Sequence, residues 1–124
     1  MKVNMKKSGE KVNKNIQNQV YKILYQVMAD AKTEMDMEMV LRALLSESEL
    51  DAVAKRLAIA VFLDKGQSYD HIRETLKVSS ATIASVAESM NKKGMQMAIT
   101  RVKAEEWADV WSIRISRALE KLMK

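Results

Sequence analysis

The chain has 124 residues, enough for one domain; about half are apolar and 30% are charged, a globular composition rather than a disordered one. It has no cysteine, no proline, three glycines and one histidine. That excludes disulfides, zinc–thiolate sites and multi-histidine metal centres, and it argues against β-sandwiches and barrels built on Gly/Pro turns. The formal net charge is +5, and residues 1–22 alone carry six lysines against Glu10, so the other 102 residues sum to zero.

Residues 1–12 are polar and unpatterned and read as a flexible basic arm, a feature that often accompanies nucleic-acid binding. No apolar leader segment follows these lysines. The longest apolar run, Leu57–Leu63, is seven residues, far short of a transmembrane helix. A cytoplasmic protein without a membrane partner is the expectation. From Asn13 an apolar stripe of Ile16, Val20, Ile23/Leu24 and Val27 repeats at three and four, which predicts a helix to about Asp30. Thr33 then reads as an N-cap, with acids at 34, 36 and 38 well placed near a helix start. The second helix carries Met35, Met39, Val40, Ala43 and Leu44, with Met35, Met37 and Met39 read as adaptable core filler.

Ser46-Glu47-Ser48-Glu49 is a capping box that opens a third helix running to about Lys65, with Gly66 as its stop. The second half of that helix, Leu57–Leu63, is apolar all round and predicts a central pillar buried on every side. A short helix follows from about Tyr69 to Lys77, then a turn at Val78-Ser79, then a helix from Ser80 to about Lys92 ending near Gly94. The last segment places Ala104, Trp107, Ala108, Trp111, Ile115, Ala118, Leu119 and Leu122 at helical spacing, with core or dimer packing the reading for the two tryptophans. No strand pattern occurs. The fold class is all-α with about six helices, divided as an arm (1–12), a helical body (13–94) and a C-terminal amphipathic helix (95–124).

Residues 68–92 carry the information about function. Ile72 and Leu76 face inward on one helix, Val78 plugs the corner, Ser79 caps the next helix, and Ile83, Val86 or Ala87, and Met90 face inward on that one. This is a helix-turn-helix. The outer face of its second helix is Ser80, Ala81, Ala84, Ser85 and Glu88, with Thr82 at the edge. Small side chains there would let the helix lie in a major groove about 12 Å wide, with its N-terminus toward a phosphate. His71 reads as an exposed helix-surface residue.

The longer stretch LLSESELDAVAKRLAIAVFLDKGQSYDHIRETLKVSSATIASV resembles the tryptophan operon repressor superfamily, and within it the Trp-repressor-like branch. The shared features are the capped L-L-S-x-x-E-L start, the A-x-R-L-x-I-A helix, the G-x-S-Y loop and V-S-x-A-T-I, over about residues 20–92. The resemblance implies an intertwined homodimer, a DNA-binding transcriptional regulator (a repressor by family) and double-stranded DNA as partner. It places DNA contacts at Arg73, Ser80, Ala81, Thr82 and Ala84, with Ser79 capping and able to contact DNA as well, and Ser85 on the same outer face is read as a further DNA contact. It places a possible effector pocket at Arg56 and Ser85. Where the repressor has arginine followed by glycine, Ser85 and Val86 stand here. That removes a charge partner and fills space, so tryptophan is not expected as corepressor, and no cofactor is expected.

Three features keep a second reading open, that of a dimerisation or protein-interaction module with a degenerate helix-turn-helix, the first being Ser85 in place of an arginine that commonly reaches DNA or ligand. Residues 68–94 net only +1, from Arg73, Lys77, Lys92 and Lys93 against Asp70, Glu74 and Glu88. Lys77 also stands where glycine usually supplies a positive φ. For an enzyme there is no supporting constellation of metal ligands, phosphate loop or activated nucleophile.

Overall fold

The computed structural model describes residues 11–123, apart from the side chains of residues 107–112. The expectations for residues 1–10 of the arm, and for Trp107 and Trp111, therefore lie outside the described residues. Among the described residues six α-helices follow one another: α1 (Lys14–Asp30), α2 (Glu34–Leu44), α3 (Glu47–Asp64), α4 (Tyr69–Leu76), α5 (Ser80–Glu88) and α6 (Lys93–Met123). The fold is all-α. Among the described residues no helix is long and apolar enough to cross a membrane. The chain divides into two compact units, residues 1–47 and 48–124.

The first unit holds α1 and α2. The Asn13 side chain accepts the Asn15 N–H at 2.9 Å, and the Thr33 hydroxyl accepts the Asp36 N–H at 3.1 Å. Each cap satisfies one backbone donor that a helix start leaves without an internal partner. An Arg42–Glu38 pair at 2.8 Å adds support one turn apart on α2. Neither helix has a buried residue. Val20, Ile23, Leu24 and Val27 of α1 and Val40, Ala43 and Leu44 of α2 line an open, wholly apolar groove of about 350 Å³. Of the three methionines read as core filler, Met35 (71% exposed) and Met39 (66%) are not core in this chain, while Met37 is half-buried. Amphipathic spacing shows that a face is apolar, and it does not say whether the same chain covers it.

The second unit is built around one buried cluster of Ile59 and Ala60 on α3, Ile72 on α4, Ile83 and Val86 on α5 and Ile99 on α6. Phe62, Leu63, Leu76, Val78, Met90 and Met95 pack against it. Two ion pairs, Lys103–Asp64 at 2.7 Å and Lys65–Glu106 at 2.9 Å, tie the end of α3 to α6. The expectation of a third helix buried on every side is corrected. α3 buries only Ile59 and Ala60, and Leu57 remains 39% exposed. Around these two, Ala58, Val61, Phe62 and Leu63 are only half-buried.

α3 stops as expected at Gly66, which sits at φ +78°. Gly66 N–H bonds the Leu63 carbonyl and Gln67 N–H bonds the Phe62 carbonyl, both at 3.0 Å. This is the paired closure that a left-handed residue after a helix allows. Gly94, by contrast, is not a stop. α5 ends at Glu88, short of the predicted Lys92, and closes with Ser89 N–H on the Val86 carbonyl (2.9 Å) and Met90 N–H on the Ala87 carbonyl (3.3 Å). α6 starts at Lys93 and takes Gly94 into its first turn. The Gln96 side chain caps the Met90 carbonyl at 2.5 Å. At 31 residues α6 is about 46 Å long, and it begins two residues before the expected start at 95.

Candidate functional site

The site is the α4–turn–α5 unit, where the two helices pack directly on one another. α4 begins at Ser68, whose hydroxyl accepts the His71 N–H at 3.1 Å. Ile72 is fully buried and Leu76 half-buried, so one side of α4 is committed to the cluster. The helix ends at Lys77, at φ 57° and ψ 50°, with its N–H on the Arg73 carbonyl at 2.9 Å. A lysine therefore holds the left-handed position where a glycine would be unstrained, at about 1 kcal/mol. Val78 turns into the corner and packs against the cluster. The Ser79 hydroxyl accepts the Thr82 N–H at 3.1 Å and lies 2.8 Å from the Thr82 hydroxyl. Ser79 is thus a helix cap, and Thr82, half-buried, turns its hydroxyl toward that cap.

With Ile83 and Val86 buried, the period of the helix leaves Ser80, Ala81, Ala84, Ser85 and Glu88 on the exposed side. These are small side chains around one acid, and the first turn of α5 presents its positive dipole end to the same surface. Arg73 joins them from α4. Its Nη1 donates to the Ser80 hydroxyl at 3.0 Å, and its Nη2 donates to the Asp70 carboxylate at 2.5 Å. The guanidinium bridges the two helices on the outer surface, and all three residues are exposed.

The structure therefore gathers Arg73, Ser80, Ala81, Ala84 and Ser85 on one face and places Ser79 and Thr82 at its edge as a capping pair. Arg56 lies apart on α3, half-buried. The cavities described are lined by residues of α1 and α2, of the chain start, and of α6. Neither Arg56 nor Ser85 is among them. Sequence reasoning missed the role of Asp70. Its spacing of three from Arg73 on a helix is a readable signal for an ion pair. The onward link to Ser80 crosses two helices and has no local signature. His71 is exposed, with its ring 6.0 Å from that of Phe62.

Among the described residues no group of three potential metal-ligating side chains occurs. The family model described as Trp repressor protein matches residues 19–104, which runs from within α1 to the first part of α6 and takes in the whole of the α4–α5 unit. No curated protein and no solved structure matches the chain. With the match covering more than half of its length, the chain belongs to the Trp repressor protein family.

Proposed function

We propose that this chain is a homodimeric, sequence-reading transcriptional regulator that places α5 in the major groove of duplex DNA and acts as a repressor. The observation that carries the reading is the outer face of α5. Its inward side is locked by Ile83 and Val86, its N-terminus is capped by Ser79, and what remains outside is Ser80, Ala81, Ala84 and Ser85, with Arg73 at the flank. Such a face fits closely into a groove about 12 Å wide. Serine hydroxyls can bond base edges, and alanine methyls can meet thymine methyls. Arg73 and the α5 N-terminus are suited to phosphates, which set register and orientation.

Dimerisation is supported by the first unit. α1 and α2 bury nothing within the chain and leave an apolar groove between them. A second copy offers the same faces in return, as an isologous interface requires. Two copies of α5 would then meet successive major grooves about 34 Å apart on a near-palindromic site. A corepressor is not part of the proposal, because Ser85 offers no charge to a ligand and Val86 is buried in the cluster.

Selection on a random duplex library, followed by anisotropy titration of the selected site against scrambled DNA at two salt concentrations, tests this. A near-palindromic winner with a specificity ratio of about 10³ or more is expected. Sequence-blind binding that vanishes with salt would overturn it and favour the interaction-module reading. One observation favours that second reading: the charge of Arg73 is already answered by Asp70.

A further inference from the structure

One face of α6 changes character along its length. Ile99 lies buried in the cluster, and Lys103 and Glu106, on the same side one and two turns later, bond Asp64 and Lys65 at the end of α3. Further along that side come Arg114, Arg117 and Lys121, and residues 113–123 are all exposed. From Glu106 to Met123 the helix runs on for about 25 Å. The basic residues just before this stretch have partners: Lys103 holds Asp64, and Arg101 lies 3.5 Å from Glu105. Among the described residues neither Arg117 nor Lys121 forms an ion pair. Residues 113–124 net +3, from Arg114, Arg117, Lys121 and Lys124 against Glu120, whereas residues 68–94 net only +1. This end of α6 also lies beyond the residues that the family model matches.

We propose that the end of α6 is a second DNA-contacting surface, a stripe of Arg117 and Lys121 with Arg114 beside them, which binds phosphates flanking the base pairs met by α5. The inference rests on the DNA-binding reading above. The α4–α5 surface carries little charge of its own, and Arg73 is already answered by Asp70, so binding has to draw phosphate contacts from outside it. The stripe belongs to the same compact unit as α4 and α5, whereas the lysines of residues 1–22 belong to the other. Its root, at Lys103 and Glu106, sits beside Asp64 and Lys65, just before the loop that leads into α4. The other broad anionic partner is a lipid surface, which takes an apolar helix face bordered by cations. Here the two faces are opposed. Arg117 follows Ile115, and Lys121 follows Leu119, by two residues, about 200° around the helix, so each cation stands nearly opposite an exposed apolar side chain. Sinking Ile115, Leu119 and Leu122 into a bilayer would turn Arg117 and Lys121 away from its headgroups. A DNA backbone needs only the cationic face.

The test compares the unsubstituted protein with R117Q/K121Q and with the charge-keeping R117K/K121R, titrated on the selected duplex and on scrambled duplex at two salt concentrations. In R117Q/K121Q both duplexes are expected to bind about tenfold more weakly at the lower salt for each protomer in contact, and the salt slope should fall by about two per protomer. The ratio between the duplexes should hold, because phosphate contacts carry no sequence. R117K/K121R should bind as the unsubstituted protein does. Trimming the selected duplex to the base pairs that selection fixed should cost the unsubstituted protein a similar factor and R117Q/K121Q almost nothing. Unchanged affinity and slope in R117Q/K121Q would overturn the proposal. So would a loss confined to the selected duplex, or one that persists undiminished on the trimmed duplex. Vesicles of equal parts phosphatidylglycerol and phosphatidylcholine form the lipid arm. Vesicle binding that R117Q/K121Q abolishes, with DNA affinity unchanged, would overturn the proposal and assign the stripe to a membrane. Failure of the unsubstituted protein to bind any duplex would instead sink the DNA-binding reading itself, and this proposal with it. Both positions are exposed, and thermal melts of each variant check that folding is retained.

Discussion

Gly66 and Lys77 end consecutive helices in nearly the same backbone conformation, with φ of +78° and +57°. Nothing lies within 4 Å of where a Cβ on Gly66 would stand, so a substitution there meets no clash and its cost is conformational alone. Gly66→Ala is expected to lower stability by about 1 kcal/mol in urea unfolding. Lys77→Gly removes the same strain from the turn of the helix-turn-helix and is expected to raise stability by about 0.5–1 kcal/mol, less than the full strain because glycine also loosens the unfolded chain. A loss of stability in Lys77→Gly would show that the lysine makes contacts that outweigh its backbone. Ser79 holds two partners, the Thr82 N–H and the Thr82 hydroxyl, through one oxygen. Ser79→Ala is expected to cost about 1 kcal/mol and to fray the start of α5. Amide hydrogen exchange at Thr82 reads this directly, and unchanged protection there would contradict the cap.

At the scale of elements, the α4–α5 pair depends on very few side chains. Ile72 and Ile83 are fully buried in a cluster of only six residues. Ile83→Ala is expected to destabilise the second unit by about 2–5 kcal/mol, measured as a shift in the urea midpoint. A change below about 1 kcal/mol would mean that α5 is held by something other than this cluster. The pair was legible in the sequence because everything that defines it is local. Ser68 and Ser79 cap within three residues, Lys77 turns the corner, and the inward positions repeat every three or four. The junction after α5 was less legible. Gly94 looks like punctuation, but a glycine in the first turn of a helix needs no positive φ. The actual break comes from the tightened turn at Ser89 and Met90 and the cap from Gln96. These bonds use backbone and amide groups that any sequence could supply.

At the scale of the molecule, the exposed apolar faces of α1 and α2 are the feature that a second copy would explain. The chain has a mass of 14.1 kDa, and light scattering in solution is expected to report twice that. Ile23→Asp puts a charge into the apolar groove lined by Val20, Leu24 and Val40. An unpaired charge cannot be buried at an interface without a large cost, so this variant is expected to shift toward the monomer mass. A variant that remains fully dimeric would place the interface elsewhere.

The sequence by itself determined that the chain is helical, that Thr33 and Ser79 cap helices, that Gly66 and Lys77 turn left-handed, and which side chains of residues 72–86 face inward. These follow from hydrogen bonds and steric limits that act over a few residues, and from the 3.6-residue period. Only the tertiary structure decided the rest. It showed that Arg73 reaches across to Ser80 while held by Asp70, that α6 runs unbroken from Lys93, and that α1 and α2 do not bury each other's apolar faces. Periodicity marks a side as apolar, but burial depends on what packs against it, and a side chain's partner across two helices depends on distances that no spacing along the sequence encodes.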